Sequence, residues 1–188
     1  MSRNISDIIL IGPISTGKST LGKLIAEKLG IPQCSIDDVR LDYYKEINYD
    51  EKLAKQIKDK EGLQGIYRYW KPFEAYAVER VLSEYSNCVI DFGAGHSVYE
   101  DDRLFKRVQQ VLKPYINVVL ILPSPDLEES IQILNARNGG IISNGFDLNE
   151  HFLKHHSNYD LAKLVVYTKA KLPQETRDEI IKSVKLEN

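Results

Sequence analysis

The amino-acid sequence predicts an α/β fold, a three-layer α/β/α sandwich around a five-stranded parallel sheet. Five short β-type runs carry this expectation: Ile8 to Ile11, Gln33 to Ile36, Cys88 to Phe92, Val118 to Leu122 and Leu164 to Tyr167. Each is followed by a segment long enough for a helix. Continuous Ile, Val and Leu runs without in-out alternation suit strands buried on both faces, and the long connections suit right-handed crossovers.

Composition narrows the function classes. The 188 residues carry 25 Lys+Arg against 27 Asp+Glu, a net charge of −2, so no global field draws the chain to nucleic acid or an anionic membrane. No apolar run approaches the roughly 18 residues of a membrane span. Cys34 and Cys88 lack CxxC spacing and the opening MSRNISD lacks an apolar h-region, so the expectation is a cytoplasmic protein, monomer or homodimer, with reduced cysteines.

Taken in order, the first run leads directly into Gly12-Pro13-Ile14-Ser15-Thr16-Gly17-Lys18-Ser19, a complete GxxxxGK[ST] motif in strand-loop-helix context. Its glycines let the backbone curl so that successive N–H groups and a helix N-terminus face a phosphate. Pro13 removes one donor, so Ser15, Thr16, Gly17 and Lys18 supply more of the cradle. Lys18 reaches the β- and γ-phosphates and Ser19 offers a hydroxyl to Mg²⁺. The helix that follows shows Leu21, Leu24, Ile25 and Leu29 on one face and stops at Gly30 and Pro32.

Asp37 and Asp38 come after the second run, at the carboxyl edge of the sheet where open α/β folds bind ligands. One is assigned to an acceptor hydroxyl and the other to capping the next helix. A polar and aromatic stretch from Tyr43 to Glu84 reads as two or three helices with Pro72 as a start or kink, forming a cap. The third run closes on Asp91, either a Mg²⁺-holding carboxylate or a capping or core-polar Asp. His96, at the carboxyl end of that strand, is a candidate ligand contact, whereas Arg68 reads as a solvated charge. The segment Asn138 to Gly145, rich in Gly and Asn, is the candidate mobile lid. His151, His155 and His156 are placed on one short helix, with His151 and His155 at metal-pair spacing but no third ligand in view.

The chain resembles the shikimate kinase family within the nucleoside-monophosphate-kinase-like P-loop kinases. The stretch from Gly12 to Pro32 is similar to that family's phosphate loop and first helix. Asp37 is similar to the second Asp of its DxD segment, Trp70-Lys71-Pro72-Phe73-Glu74 to its FRxxE, and Phe92-Gly93-Ala94-Gly95 to its Gly-Gly-Gly turn. The end from Tyr159 to Ile181, with Pro173, resembles its last strand and helix around the adenine-binding turn. Departures accompany these matches: Ser35 stands where the first Asp would be, Lys71 and His155 replace the pocket arginines, and the Arg-Pro lid signature is absent.

The resemblance implies one kinase domain over 1–188, with a helical substrate-binding cap over about 40–85 and a lid loop over about 137–149. It implies transfer of the γ-phosphoryl group of MgATP to a hydroxyl of a small, anionic metabolite. Gly12, Ser15, Thr16, Gly17, Lys18, Ser19, Thr20 and Pro173 would bind nucleotide, and Ser19 and Asp91 would hold Mg²⁺. Asp37, Lys71, Gly93, Ala94, Gly95 and His155 would line the acceptor site, with Lys18, Asp37 and Arg137 catalytic. Arg137 either closes over the γ-phosphate or stacks on adenine. Two rival readings stay open: a nucleoside or nucleotide kinase with a base stacked in the aromatic cap, and an ATP-binding regulatory module without turnover.

Overall fold

All five expected strands form in the computed structural model, which describes residues 5–143 and 145–185. In chain order the first elements are β1 (Ile5–Ile11), α1 (Lys18–Leu29), β2 (Gln33–Ser35), α2 (Ile36–Glu46), α3 (Glu51–Glu84) and β3 (Val89–Asp91). A 3₁₀ turn (Ala94–Ser97), α4 (Asp102–Leu112), β4 (Tyr115–Leu122) and α5 (Leu127–Asn138) follow. The chain continues through a hairpin of β5 (Ile142–Ser143) and β6 (Phe146–Asp147), then α6 (Leu148–Lys154), α7 (His156–Leu161), β7 (Leu164–Tyr167) and α8 (Pro173–Ser183). The five-stranded sheet runs β2-β3-β1-β4-β7, with every pairing parallel.

The period-2 geometry of a strand divides its apolar residues between two faces. Ile8 and Leu10 of β1, with Val119 and Ile121 of β4, pack with Leu21 and Ile25 of α1 and Ile180 of α8. Ile9, Ile11, Val118 and Leu120 face the other way, onto Val78 and Val81 of α3, Val108 and Leu112 of α4 and Leu161 of α7. These strand residues are fully buried, each contributing about 1.5–3 kcal/mol of apolar transfer. Such a doubly covered sheet leaves its carboxyl edge as the place for a ligand. Among the described residues no helix is long and apolar enough to cross a membrane. Cys34 and Cys88 are free and buried.

Two local expectations change and one segment gains detail. Pro72 neither starts nor breaks a helix; α3 instead leaves helical geometry at Gly62, with φ 68° and ψ −153°. Glycine tolerates positive φ, while burial of Lys71, Ala75 and Val78 around Pro72 outweighs the one helical hydrogen bond a proline removes. The Gly- and Asn-rich loop contains the β5–β6 hairpin, with Ile142 opposite Asp147. The histidines do not share one helix. α6 ends at Lys154, and His155 caps α7, its Nδ1 accepting from the Ser157 N–H at 3.2 Å.

Candidate active site

The loop between β1 and α1 is shaped by positions that only small residues can fill. A Cβ on Gly12, at φ 138°, would come within 2.5 Å of the Ile121 carbonyl oxygen. Gly17, at φ 91°, is the N-cap of α1 and supplies no side-chain cap, and the first turn holds no acidic residue. The amide donors of that turn therefore remain for an anion, and the helix dipole favours one there. Thr16 Oγ1 ties the loop by donating to the Pro13 carbonyl at 3.0 Å. The Lys18 ammonium donates to the carbonyls of Gly12 at 2.8 Å and Pro13 at 2.7 Å. Burial lowers the Lys18 pKa to about 8, opposed by the attraction of Asp37 and Asp91.

Asp91 lies beside the loop, 1% exposed. Its Oδ1 accepts from Ser19 Oγ at 2.6 Å and Ser35 Oγ at 3.0 Å, and its Oδ2 accepts from Gln33 Nε2 at 2.7 Å. The parallel register explains the meeting, since Leu10, Asp91 and Ser35 are level across three strands. Hydroxyl and carboxylate oxygens are the hard donors that Mg²⁺ takes, so the residues present fit that ion. Gln33 is the member of this group that sequence reasoning missed; its place two residues before Ser35, on the same face of β2, was the available signal.

On the far side of the loop, a groove of about 200 Å³ is lined by Thr16, Thr20, Arg137, Thr168 and Pro173. Arg137 stands in its wall, donating from Nη1 to the Ser15 carbonyl at 3.0 Å. Asn138 Nδ2 donates to Ser15 Oγ at 3.3 Å. Arg137 shares this groove with Thr168 and Pro173 while bonded to the phosphate loop, so it borders both places the sequence left open for it.

Toward the cap, a cavity of about 270 Å³ contains Lys18, Ser19, Asp37 and Ala94. It adjoins one of about 380 Å³ lined by Arg40, Tyr67, Trp70, Glu74, Gly95 and Phe152, and the two share Ile14, Asp37 and Ala94. Asp37 thus stands where the phosphate loop meets the cap. Its partner Asp38 is exposed in the first turn of α2; Ser35, whose hydroxyl goes to Asp91 and makes no capping bond, is the N-cap. Gly93 lets the Asp37 carboxylate approach, because a Cβ there would overlap Asp37 Oδ1 and lie 2.7 Å from His96 Nδ1. A Cβ on Gly95 would overlap the Glu74 carboxylate. His96 also lines the larger cavity. It is 1% exposed, its Nε2 paired with the Tyr44 hydroxyl at 3.3 Å, and burial pushes its pKa down to about 3, so it is neutral at pH 7.

Neither Lys71 nor His155, both expected as acceptor contacts, is part of this cavity's lining. Lys71 is turned inward, forming an ion pair with Glu74 and donating to the carbonyls of Gly95 at 2.8 Å and Val98 at 3.0 Å. Its ammonium also sits 4.1 Å from the Tyr67 ring centre and 5.2 Å from that of Tyr99, so its donors are engaged with the protein. His155 borders a separate hollow with Phe146 and His151, held there by its capping bond and by stacking on His156 at 4.7 Å. His151 Nε2 pairs with Glu100 Oε1 at 2.7 Å, and among the described residues no three His, Cys, Asp or Glu side chains come together as a metal site. Arg68 is exposed and paired with Glu61 at 3.0 Å. Arg40 was missed, although its spacing of three from Asp37 puts both on one helix face.

Comparison with known proteins gives these cavities a family. Residues 14–185 match the shikimate kinase family model. The shikimate kinase of Persephonella marina is 28% identical over 177 residues, covering 93% of this chain and 96% of its own. That of Streptomyces coelicolor is 26% identical over 183 residues, covering 95% of each. Among solved structures, shikimate kinase from Acinetobacter baumannii in complex with shikimate superimposes with a TM-score of 0.64 at 20% identity, covering 95% of this chain and 92% of that one. With the family model spanning nearly the whole chain and the fold agreeing, this protein belongs to the shikimate kinase family of ATP-dependent small-molecule kinases.

Proposed function

We propose that the chain transfers the γ-phosphoryl group of MgATP to a hydroxyl of a small acceptor seated in the cavity beneath the cap. The observation that carries this reading is the position of Asp37, shared by the cavity at the phosphate loop and the cavity under the cap. In this reading Gly12, Ser15, Thr16, Gly17 and Lys18 cradle the phosphates, and Thr20, Arg137 and Pro173 line the nucleoside groove. Ser19 and Asp91 would hold Mg²⁺, which would supply charge neutralisation at the transferring phosphate. Ser35 and Gln33 hold the Asp91 carboxylate in place.

The Asp37 carboxylate accepts the proton of the acceptor hydroxyl and aims its oxygen at the phosphate loop. Gly93, Ala94 and Gly95 keep the wall beside it thin. Lys18 exchanges its two carbonyl partners for phosphate oxygens, donating in the transition state to the charge that develops there. The segment over about 137–149 acts as the lid and excludes water. A cytoplasmic setting, in which Cys34 and Cys88 stay thiols, suits this chemistry.

The test is ADP release from MgATP against a panel of shikimate, other hydroxy acids, sugars, nucleosides and nucleotides. Stimulation by one acceptor, with Asp37→Asn lowering kcat by about 10²–10⁴-fold, is the expected result. Stimulation by a nucleoside or nucleotide alone would transfer the cap to base recognition. ATP binding without stimulation by any acceptor would overturn the catalytic reading.

A further inference from the structure

The larger cavity holds one guanidinium. Arg40 is the only cationic side chain among the described residues that line it, since the Lys71 ammonium is directed into the protein and the His96 imidazole is neutral. Arg40 is three residues beyond Asp37 on α2, so both side chains leave the helix on the same face. Its Nε is buried and makes no hydrogen bond, and the nearest Asp37 oxygen is 3.6 Å away. The Tyr44 hydroxyl lies beside the group, and the guanidinium carbon is 5.7 Å from the Trp70 ring centre. The other carboxylate on the cavity wall, Glu74, is already paired with Lys71.

A guanidinium carries five N–H donors in a rigid fork and binds carboxylates through two parallel bonds. Close to an indole and with its Nε unpaired, this one is partly positioned before a ligand arrives, which limits the ordering cost of binding. We propose that Arg40 sets acceptor specificity by receiving a carboxylate of the acceptor, with Lys71 and His155 taking no direct part. The inference rests on the kinase reading in placing the acceptor in this cavity. Asp37 then holds the reacting hydroxyl while Arg40 holds the acid group.

Trp70 is the only tryptophan in the chain and lines the same cavity, so its fluorescence reports occupancy. The probes are shikimate and 3-hydroxybenzoate, each titrated beside its uncharged methyl ester in the presence of MgADP. In the wild-type protein the acid should bind roughly ten- to a hundredfold tighter than its ester, the range for a charged hydrogen-bonded contact. Arg40→Met should abolish that gap and Arg40→Lys should keep part of it, with circular dichroism unchanged. Arg40→Gln, nearer in polarity, replaces methionine if that variant unfolds. Equal affinity for acid and ester, a gap that survives in Arg40→Met, or no saturable response to either acid would overturn the proposal. ADP release measured in parallel separates the two readings. Acceptor-stimulated turnover with a KM that Arg40→Met leaves unchanged removes the role of Arg40 and leaves the kinase. Arg40-dependent carboxylate binding without turnover does the opposite.

Discussion

Replacing Lys71 with methionine separates a buried structural charge from a substrate contact. Lys71 is 5% exposed and Glu74 3% exposed. The substitution keeps most of the aliphatic volume but removes the ammonium that pairs with Glu74 and donates to the Gly95 and Val98 carbonyls. It leaves one carboxylate and two carbonyls without that partner beside the cavity under the cap. Breaking a buried ion pair on one side costs about 3–5 kcal/mol, because the remaining charge keeps its desolvation penalty. At about 2–4 °C per kcal/mol for a chain of this size, Tm should fall by roughly 6–20 °C. Urea unfolding followed by circular dichroism measures the loss directly. The double variant Lys71→Met/Glu74→Gln, which removes the stranded charge, should recover a large part of it. A stability loss below about 1 kcal/mol together with a large rise in acceptor KM would refute the reasoning and return Lys71 to the substrate.

The remaining predictions use the same cavities. Adding a methyl group in Gly93→Ala should displace the Asp37 carboxylate and lower kcat by about a hundredfold while leaving nucleotide affinity intact; an unchanged kcat would show that Asp37 needs no such approach. Asp91→Asn should weaken the Mg²⁺ dependence of nucleotide binding by about 10–100-fold, read by calorimetry with MgADP and with metal-free ADP, and the metal-free affinity should hold. His96, with a folded pKa near 3 against an ordinary 6.5, binds fewer protons folded than unfolded between those values. Its contribution to stability is therefore full above about pH 6.5 and falls as pH drops toward 3, by at most about 1.4 kcal/mol per unit. His96→Gln should lack that part of the acid limb, and superimposable unfolding-versus-pH curves would rule the assignment out.

The phosphate loop was legible because its chemistry is contiguous: Gly12 to Ser19 carry geometry, charge and hydroxyl in eight successive residues. Asp91 was also accessible, since a β-type run that ends on a carboxylate puts it at the ligand edge of the sheet. The cavity under the cap is assembled from α2, α3, the Gly93–Gly95 turn and α6, and no local pattern says which face of a long helix meets the others. Lys71 illustrates the difficulty. Its neighbours in sequence suggest a pocket residue, yet Glu74 one turn later and the carbonyls after β3 draw it inward. Gly62 and Pro72 show the same contest in the backbone, where a proline's local preference yields to packing and the bend falls at Gly62 instead. Arg40 was readable only after Asp37 and α2 were considered as one helix face.

The edge strand β2 has only three residues, held to β3 through the pairs Gln33–Val89, Cys34–Ile90 and Ser35–Asp91. Gln33 and Ser35 brace the Asp91 carboxylate, and α2, with Asp37 and Arg40, begins at the next residue. Detaching this one strand from the sheet would therefore scatter the cation-facing oxygens and the acceptor-facing side chains together. Ligand binding and strand attachment are thermodynamically linked, and ligand at a hundredfold excess over its Kd should add about 2.7 kcal/mol to the cost of opening the edge. Amide exchange along β2 should then slow by about two orders of magnitude, and the least anchored strand becomes the segment that registers occupancy.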